Sequence, residues 1–331
     1  MPWMKDGTLD EVYNGIEMQA LRDAFDRGAQ PAECQWCWDE EAAGIKSFRE
    51  KYNELSYSYT NNPSPQIVDL KLSNVCTLKC RMCGPTASSA IAKEQNKVDK
   101  YFLSDKIIGT ENQAVFFESW LPGMKQLELT GGEPFFSNEN RELLHGIANS
   151  GHAKHIDLLI TTNGMFYAPK LLDRMRAFKS VKLAISVDDL GPRLEYARTG
   201  ASWDIIKTNI LALIKDYPEF EVSMYRTINI FNIFYLDELD LFGANHVIPV
   251  NSGLLHEPPH LNIQNMPYWA KEEVMDKYGD NEAYSAILDF MNKPTNGDLT
   301  RFRSETKHLD SIRRTSFVST YPEWSEILIY E

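Results

Sequence analysis

From Gln66 onward, short apolar runs of strand type alternate with longer amphipathic stretches. Strand-like runs fall at Ile67–Ser73, Gln126–Leu129, His155–Thr161, Val181–Val187, Glu221–Ile228 and His246–Pro249. Between them, apolar positions recur at helical spacing over Ala87–Asn96, Asn138–Asn149, Pro169–Phe178, Trp203–Asp216 and Leu236–Phe242. Such alternation predicts βα units and a parallel sheet. Close to six repeats are present, fewer than the eight of a closed barrel, so the expected fold is α/β: a partial (β/α)6 TIM-like barrel with helical N- and C-terminal extensions.

In the first extension, Glu11 to Arg27 carries Val12, Ile16, Ala20, Leu21, Ala24 and Phe25 at helical spacing, which predicts a helix with one buried face, stopped by Gly28 and Pro31. Tyr52 through Pro65, with Asn61-Asn62-Pro63-Ser64-Pro65, reads as a polar linker. The tail, from about Ala270 to Glu331, alternates charged helix-like stretches (Glu272–Tyr278, Glu282–Met291) with loops. It shows no chemical motif and reads as a helical cap. The expected division is an N-terminal helical segment at 1–62, a catalytic core at 63–260 and a C-terminal cap at 261–331.

Composition narrows the function. A chain of 331 residues with 43% hydrophobic content can bury a full core. Its net charge of −13, with no dense Lys/Arg cluster, argues against a nucleic-acid partner and favours a small-molecule or peptide substrate. No apolar run approaches bilayer-spanning length, and Met1-Pro2-Trp3-Met4-Lys5-Asp6 lacks the apolar core of a signal peptide, so the expected location is cytoplasmic, off the membrane. Five cysteines, a low and odd count, make a disulfide framework an unattractive explanation for their spacing.

Three of them stand in Ser73-Asn74-Val75-Cys76-Thr77-Leu78-Lys79-Cys80-Arg81-Met82-Cys83-Gly84, spaced C-x3-C-x2-C directly after the first strand. Thiolates favour zinc, copper(I) or iron–sulfur clusters, and this spacing lets one loop wrap one centre. Structural zinc normally has four protein ligands, so three suggest a centre with one position kept for something else. Two other readings are zinc completed by a histidine, as in a binding module, and cysteines that are simply buried.

The cysteine loop, followed by Leu129-Thr130-Gly131-Gly132-Glu133-Pro134 after the second strand, resembles the radical S-adenosylmethionine (SAM) superfamily. That resemblance implies a [4Fe–4S] cluster on Cys76, Cys80 and Cys83, with SAM chelating the fourth iron. It also implies a one-electron donor such as flavodoxin or ferredoxin, and a 5′-deoxyadenosyl radical that abstracts hydrogen from substrate. Gly131, Gly132 and Glu133 would receive the SAM amino group, and Met82 would lie beside adenine. Asn163, in Thr161-Thr162-Asn163-Gly164, would stand near SAM; Ser186 and Asp188 would contact the ribose, and Arg198 would pair the carboxylate.

A second pattern, Leu21-Arg22, Gly28, Pro31, Cys34-x-x-Cys37-Trp38, Glu41, Gly44, Ser47 and Arg49, resembles the auxiliary-cluster segment of SPASM and twitch-type members. It implies a second iron–sulfur or zinc centre involving Cys34 and Cys37, although two thiolates alone do not fill a tetrahedral site. Arg226 is on the fifth strand, flanked by Tyr225 and Thr227, where a charge is costly unless paired, so it is expected either to face the barrel lumen and its ligands or to lie on an edge. His256, Glu257 and His260 invite a metal reading, while their proline-rich loop suits the barrel mouth.

Overall fold

The computed structural model describes residues 8–42, 44, 46–55, 64–96, 110–295 and 299–328. In chain order its strands are β1 (Ile67–Leu70), β2 (Lys79–Cys80), β3 (Gln126–Leu129), β4 (Asp157–Thr162), β5 (Ser180–Ser186), β6 (Arg198–Thr199), β7 (Glu221–Ile228) and β8 (Val250–Leu254). The main sheet runs β1-β3-β4-β5-β7-β8, every neighbouring pair parallel, while β2 and β6 form a separate antiparallel pair. Spatial order follows chain order without a reversal. Right-handed crossovers then put successive helices on one face, the winding of a partial barrel and not of a doubly wound sheet.

Alternation along the strands separates the two faces. On β5, Val181, Leu183 and Ile185 are buried against the outer helices, together with Leu158 and Ile160 of β4. Those helices, including 138–149, 169–175 and 203–216, contribute Leu144, Ile147, Met175, Ile206 and Ile210 to the same core. The inner face is covered in part by the N-terminal segment, where the Tyr52 hydroxyl donates to Glu128 Oε1 at 2.8 Å.

Three sequence expectations need correction here. The span from Glu11 to Arg27 is two helices, Leu9–Tyr13 and Ile16–Asp26, separated where extended Gly15 caps the second; neither buries an apolar face beyond Leu9, and Ile16 is 89% exposed. The sixth main strand is Val250–Leu254, because the preceding helix continues to His246 and Val247 ends it in the left-handed region at φ 58°. Arg226 lies on the helix-covered face with Val222, Met224 and Ile228, not in the lumen. It donates to Ser252 Oγ, Leu236 O and Asp240 Oδ2, so it is paired as its burial demands.

The tail contains helices Tyr268–Tyr278, Ser285–Met291 and Leu299–Arg313. It packs a second hydrophobic cluster, with Phe302, Phe317 and Tyr321 fully buried around Tyr196 and Phe231, and Trp324 fully buried against Phe234 and Trp269. Asn61, Asn62, Pro63 and the boundary at 62/63 lie outside the described residues. Among the described residues, no helix is long and apolar enough to cross a membrane.

Candidate functional site

At the C-terminal end of β1 the chain leaves the sheet and becomes the three-cysteine loop, which is fastened on several sides. Ser89 donates its amide to Asn74 O at 2.7 Å, and Ser88 Oγ donates to Leu78 O at 2.7 Å. Lys79 and Cys80 pair with Thr199 and Arg198, and the Arg81 amide donates to Ala197 O at 2.8 Å. Opposite, Gly131 and Gly132 turn with φ of 76° and 55°. A Cβ on Gly132 would stand 2.6 Å from Val75 O, so only glycine lets this turn approach the loop.

Nitrogen donors face the sulfurs. Cys76 Sγ receives the Leu78 amide at 3.4 Å and Asn163 Nδ2 at 3.9 Å, and Cys80 Sγ receives Arg198 Nη1 at 3.9 Å. Burial pushes the Cys76 thiol up to about 11 and Cys83 to about 12, with Cys80 adding to both; burial also raises Cys80, against Arg198. An ionised Cys80 would thus oppose ionisation of Cys76 and Cys83. Binding a cationic centre would relieve this by taking up thiolates and releasing protons.

Glu133 is fully buried and joins three strand ends. Its carboxylate accepts from Thr162 Oγ1 at 2.7 Å, the Asn163 amide at 2.7 Å and the Phe135 amide at 3.0 Å, while its own amide donates to Val75 O at 2.8 Å. Burial raises its pKa, and the three hydrogen bonds work the other way. Asp188 accepts from Arg198 Nε at 2.7 Å and the Thr227 amide at 2.8 Å. Burial works to lower the Arg198 pKa, and Asp188 with Cys80 outweighs it, so the guanidinium bridges a carboxylate and a sulfur. Ser186 ends β5 on the face opposite Val181, Leu183 and Ile185, and Met82 packs against the second hydrophobic cluster.

Sequence reasoning thus finds residues that the fold gathers at one end of the sheet, with a difference of detail. Glu133 and Asp188 are buried and already engaged by the protein, so they hold the strand ends in place. Among the described residues, no group of three or more His, Cys, Asp or Glu side chains converges on a single metal ion. In a [4Fe–4S] cluster each cysteine takes a different iron, so its sulfurs need no common ion. Three thiols on one loop, two of them receiving N–H donors, and a glycine turn packed against that loop suit that group.

Residues 70–233 match the protein-family model described as the Radical SAM superfamily. That stretch of the chain carries the sequence of the radical SAM superfamily. Curated relatives include the GTP 3′,8-cyclase of Aquifex aeolicus, 28% identical over 130 residues (38% of this chain, 36% of that protein), and that of Vibrio parahaemolyticus, 24% identical over 235 residues (63% and 64%). The chain thus spans about a third of the first relative and under two thirds of the second. Similar solved structures include native anSMEcpe with bound AdoMet (TM-score 0.45, 16% identity, 58% of this chain and 52% of that one). Another is Streptococcus suis SuiB bound to precursor peptide SuiA (TM-score 0.42, 15% identity, 90% and 67%). The superfamily's cofactors are a [4Fe–4S] cluster and SAM.

The N-terminal cysteines occupy a different setting. Trp38 Nε1 donates to Pro31 O at 3.0 Å, the Arg49 guanidinium lies 4.6 Å from the Trp38 ring centre, and Glu41 accepts from Arg49 and Ser47. Every polar member of the second sequence pattern from Pro31 to Arg49 thus belongs to one network that shapes the Cys34–Cys37 turn. On the same segment Trp36 stacks on His256 at 5.8 Å, and Glu40 Oε1 lies 3.4 Å from His256 Nε2. Between this segment and the ends of β7 and β8 is a cavity of about 530 Å³, lined among others by Trp36, Cys37, Lys51, Tyr225 and His256.

The sequence reading missed the tail's part in this region. Asp310, Arg313 and Thr315 reach Arg81, Lys79 and Glu94 beside the cysteine loop. The available signal was Arg81 itself, a charged residue wedged between two cysteines and therefore in need of a distant acid.

Proposed function

We propose that this chain is a radical SAM enzyme that uses Cys76, Cys80 and Cys83 to hold a [4Fe–4S] cluster and acts on a peptide or small molecule. When bound, the cluster supplies the electron, from a donor such as flavodoxin or ferredoxin, that cleaves SAM to methionine and a 5′-deoxyadenosyl radical able to take hydrogen from substrate. The observation that carries this reading is the cysteine loop lying against the Gly131-Gly132 turn with N–H donors directed at sulfur. Hydrogen bonds to sulfur and restricted solvent tune a cluster's potential.

In this reading the chain's own residues bind and orient. Asn163 and Arg198 hold Cys76 and Cys80 while presenting polar edges to SAM, with Asp188 fixing the Arg198 guanidinium. Glu133 locks the ends of β3 and β4 to the cysteine loop, so that the Gly131 and Gly132 carbonyls keep their place for the SAM amine. The substrate occupies the cavity at the far side of the mouth, where the exposed Trp36 indole offers a planar face and Lys51 a cation. The indole face suits a planar small molecule, with Lys46 and Lys51 set against Glu40 and Glu257 in the same lining, and GTP, named in the curated relatives, is the first candidate to try. Cys37 borders that cavity and, with Cys34, would take part in any second centre.

The test is anaerobic loading with iron and sulfide, dithionite reduction and assay of 5′-deoxyadenosine from SAM, with and without GTP. The expected result is an iron–sulfur paramagnetic signal that changes on adding SAM, followed by deoxyadenosine. Stoichiometric zinc without iron or sulfide would instead mean a zinc-binding interaction module.

A further inference from the structure

The cysteine loop is gripped from its outer side by a segment far away in sequence. Arg81, between Cys80 and Met82, has a side chain only 1% exposed. Its Nε donates to Tyr196 O at 3.1 Å, its guanidinium lies 3.7 Å from the Tyr196 ring centre, and Nη2 donates to Asp310 Oδ1 at 2.5 Å and Thr315 Oγ1 at 2.8 Å. Asp310 is fixed in turn by the Phe317 amide at 2.7 Å and the Thr315 hydroxyl at 2.8 Å.

A second grip lies one residue before Cys80. Arg313 Nη1 donates to Lys79 O at 2.8 Å, and Nη2 donates to Glu94 Oε2 at 2.7 Å. Lys79 Nζ reaches the same carboxylate at 2.8 Å. The Arg313 side chain is 3% exposed. A buried charge held by several acceptors has little freedom to move, because each displaced bond leaves a desolvated group unpaired. The backbone on both sides of Cys80 is therefore tied to the end of the helix Leu299–Arg313 and the turn after it.

We propose that Asp310 and Arg313 are positioning residues for the cysteine loop, acting through Arg81 and Lys79 to set where the Cys80 and Cys83 sulfurs stand. The proposal rests on the reading of that loop as the cluster site, but its first test does not need a cluster. Reduced, anaerobic apoprotein is pulsed with iodoacetamide, and alkylation of each cysteine is followed by peptide mass spectrometry. Wild type is compared with Asp310→Ala, Arg313→Gln and a control, Arg303→Gln, which loses only the Arg303 Nε bond to Ile327 O within the tail.

Cys80 and Cys83 should react about tenfold faster in Asp310→Ala and Arg313→Gln, as expected when a locally closed segment opens more often. Cys34 and Cys37, on the opposite extension, serve as internal references and should keep their rates. Asp310→Asn, which retains an acceptor oxygen, should fall between wild type and Asp310→Ala. After loading with iron and sulfide, the clamp variants should also show a displaced cluster reduction potential in the fraction that holds a full cluster, whereas lower occupancy alone would leave it unmoved. Unchanged Cys80 and Cys83 rates, an equal rise at all five cysteines, or an unmoved potential overturns the positioning role. Failure of wild type to take up iron and sulfide overturns the cluster reading instead, while the alkylation contrast still decides whether the tail holds the loop.

Discussion

Cys76, Cys80 and Cys83 stand on a loop whose neighbours aim N–H groups at sulfur, whereas Cys34 and Cys37 stand on a helical turn whose polar network is directed at other atoms. Both sets are free thiols on partly buried residues, and both sit in recognisable sequence patterns. Around the first set, a glycine turn, a buried glutamate and two buried arginines converge from β1, β3, β4 and the tail. Around the second, the polar network is built by Trp38, Glu41, Ser47 and Arg49 of the same short segment, and His256 beyond β8 adds the contacts to Trp36 and Glu40. Cysteine spacing alone therefore says little about what a thiol does; the number of separate elements that hold its surroundings says more.

The sharpest way to break the comparison is to remove the thiols. Cys76→Ala, Cys80→Ala and Cys83→Ala should each abolish assembly of a complete cluster, since one iron loses its only protein ligand. Cys34→Ala and Cys37→Ala should leave the iron and sulfide of that cluster, and deoxyadenosine formation, at wild-type levels. Iron, sulfide and deoxyadenosine measured on the five variants decide the matter. Equal losses in both sets would make the two cysteine regions one functional unit.

A smaller effect is expected on the glycine side of the loop. In Gly132→Ala the new methyl group would meet Val75 O and strain a backbone at φ 55°, a cost of about 1–3 kcal/mol for such a residue. Chemical denaturation should show that loss, with SAM binding weakened as the turn moves away from the cysteines. Wild-type stability and SAM affinity in this variant would show that the close approach is dispensable.

The strands, most helices and the cysteine–glycine pairing were legible because each is local: period, spacing and turn residues are written in neighbouring positions. Long-range roles were not. Asp310 and Arg313 look like ordinary charges on an exposed helix until folding brings them beside Lys79 and Arg81. Arg226 could be read as a paired charge, but its face followed from register, because only alternation with Val222 and Met224 turns it towards Leu236 and Asp240. The misplaced sixth strand had a local cause. Val247-Ile248-Pro249 has strand composition, yet the helix before it needed a left-handed exit that no pattern of apolar residues announces.

The smallest expected effect tests whether the N-terminal network belongs to the Cys34–Cys37 turn alone. Trp38→Phe keeps an aromatic ring under Arg49 but removes the indole N–H that bonds Pro31 O, a loss of about 0.5–1.5 kcal/mol for a typical hydrogen bond. Because Trp38 touches neither the glycine turn nor the tail clamp in any of these bonds, the loss should loosen residues 31–42 and leave the cysteine loop intact. Amide hydrogen exchange should rise there while residues 76–84 keep their protection, and iodoacetamide should reach Cys34 faster with no change at Cys80. Matching increases in both regions would mean that the N-terminal segment, through Tyr52 on Glu128 or Trp36 on His256, transmits its order to the barrel mouth. The two cysteine regions would then differ in how they are held but not in independence.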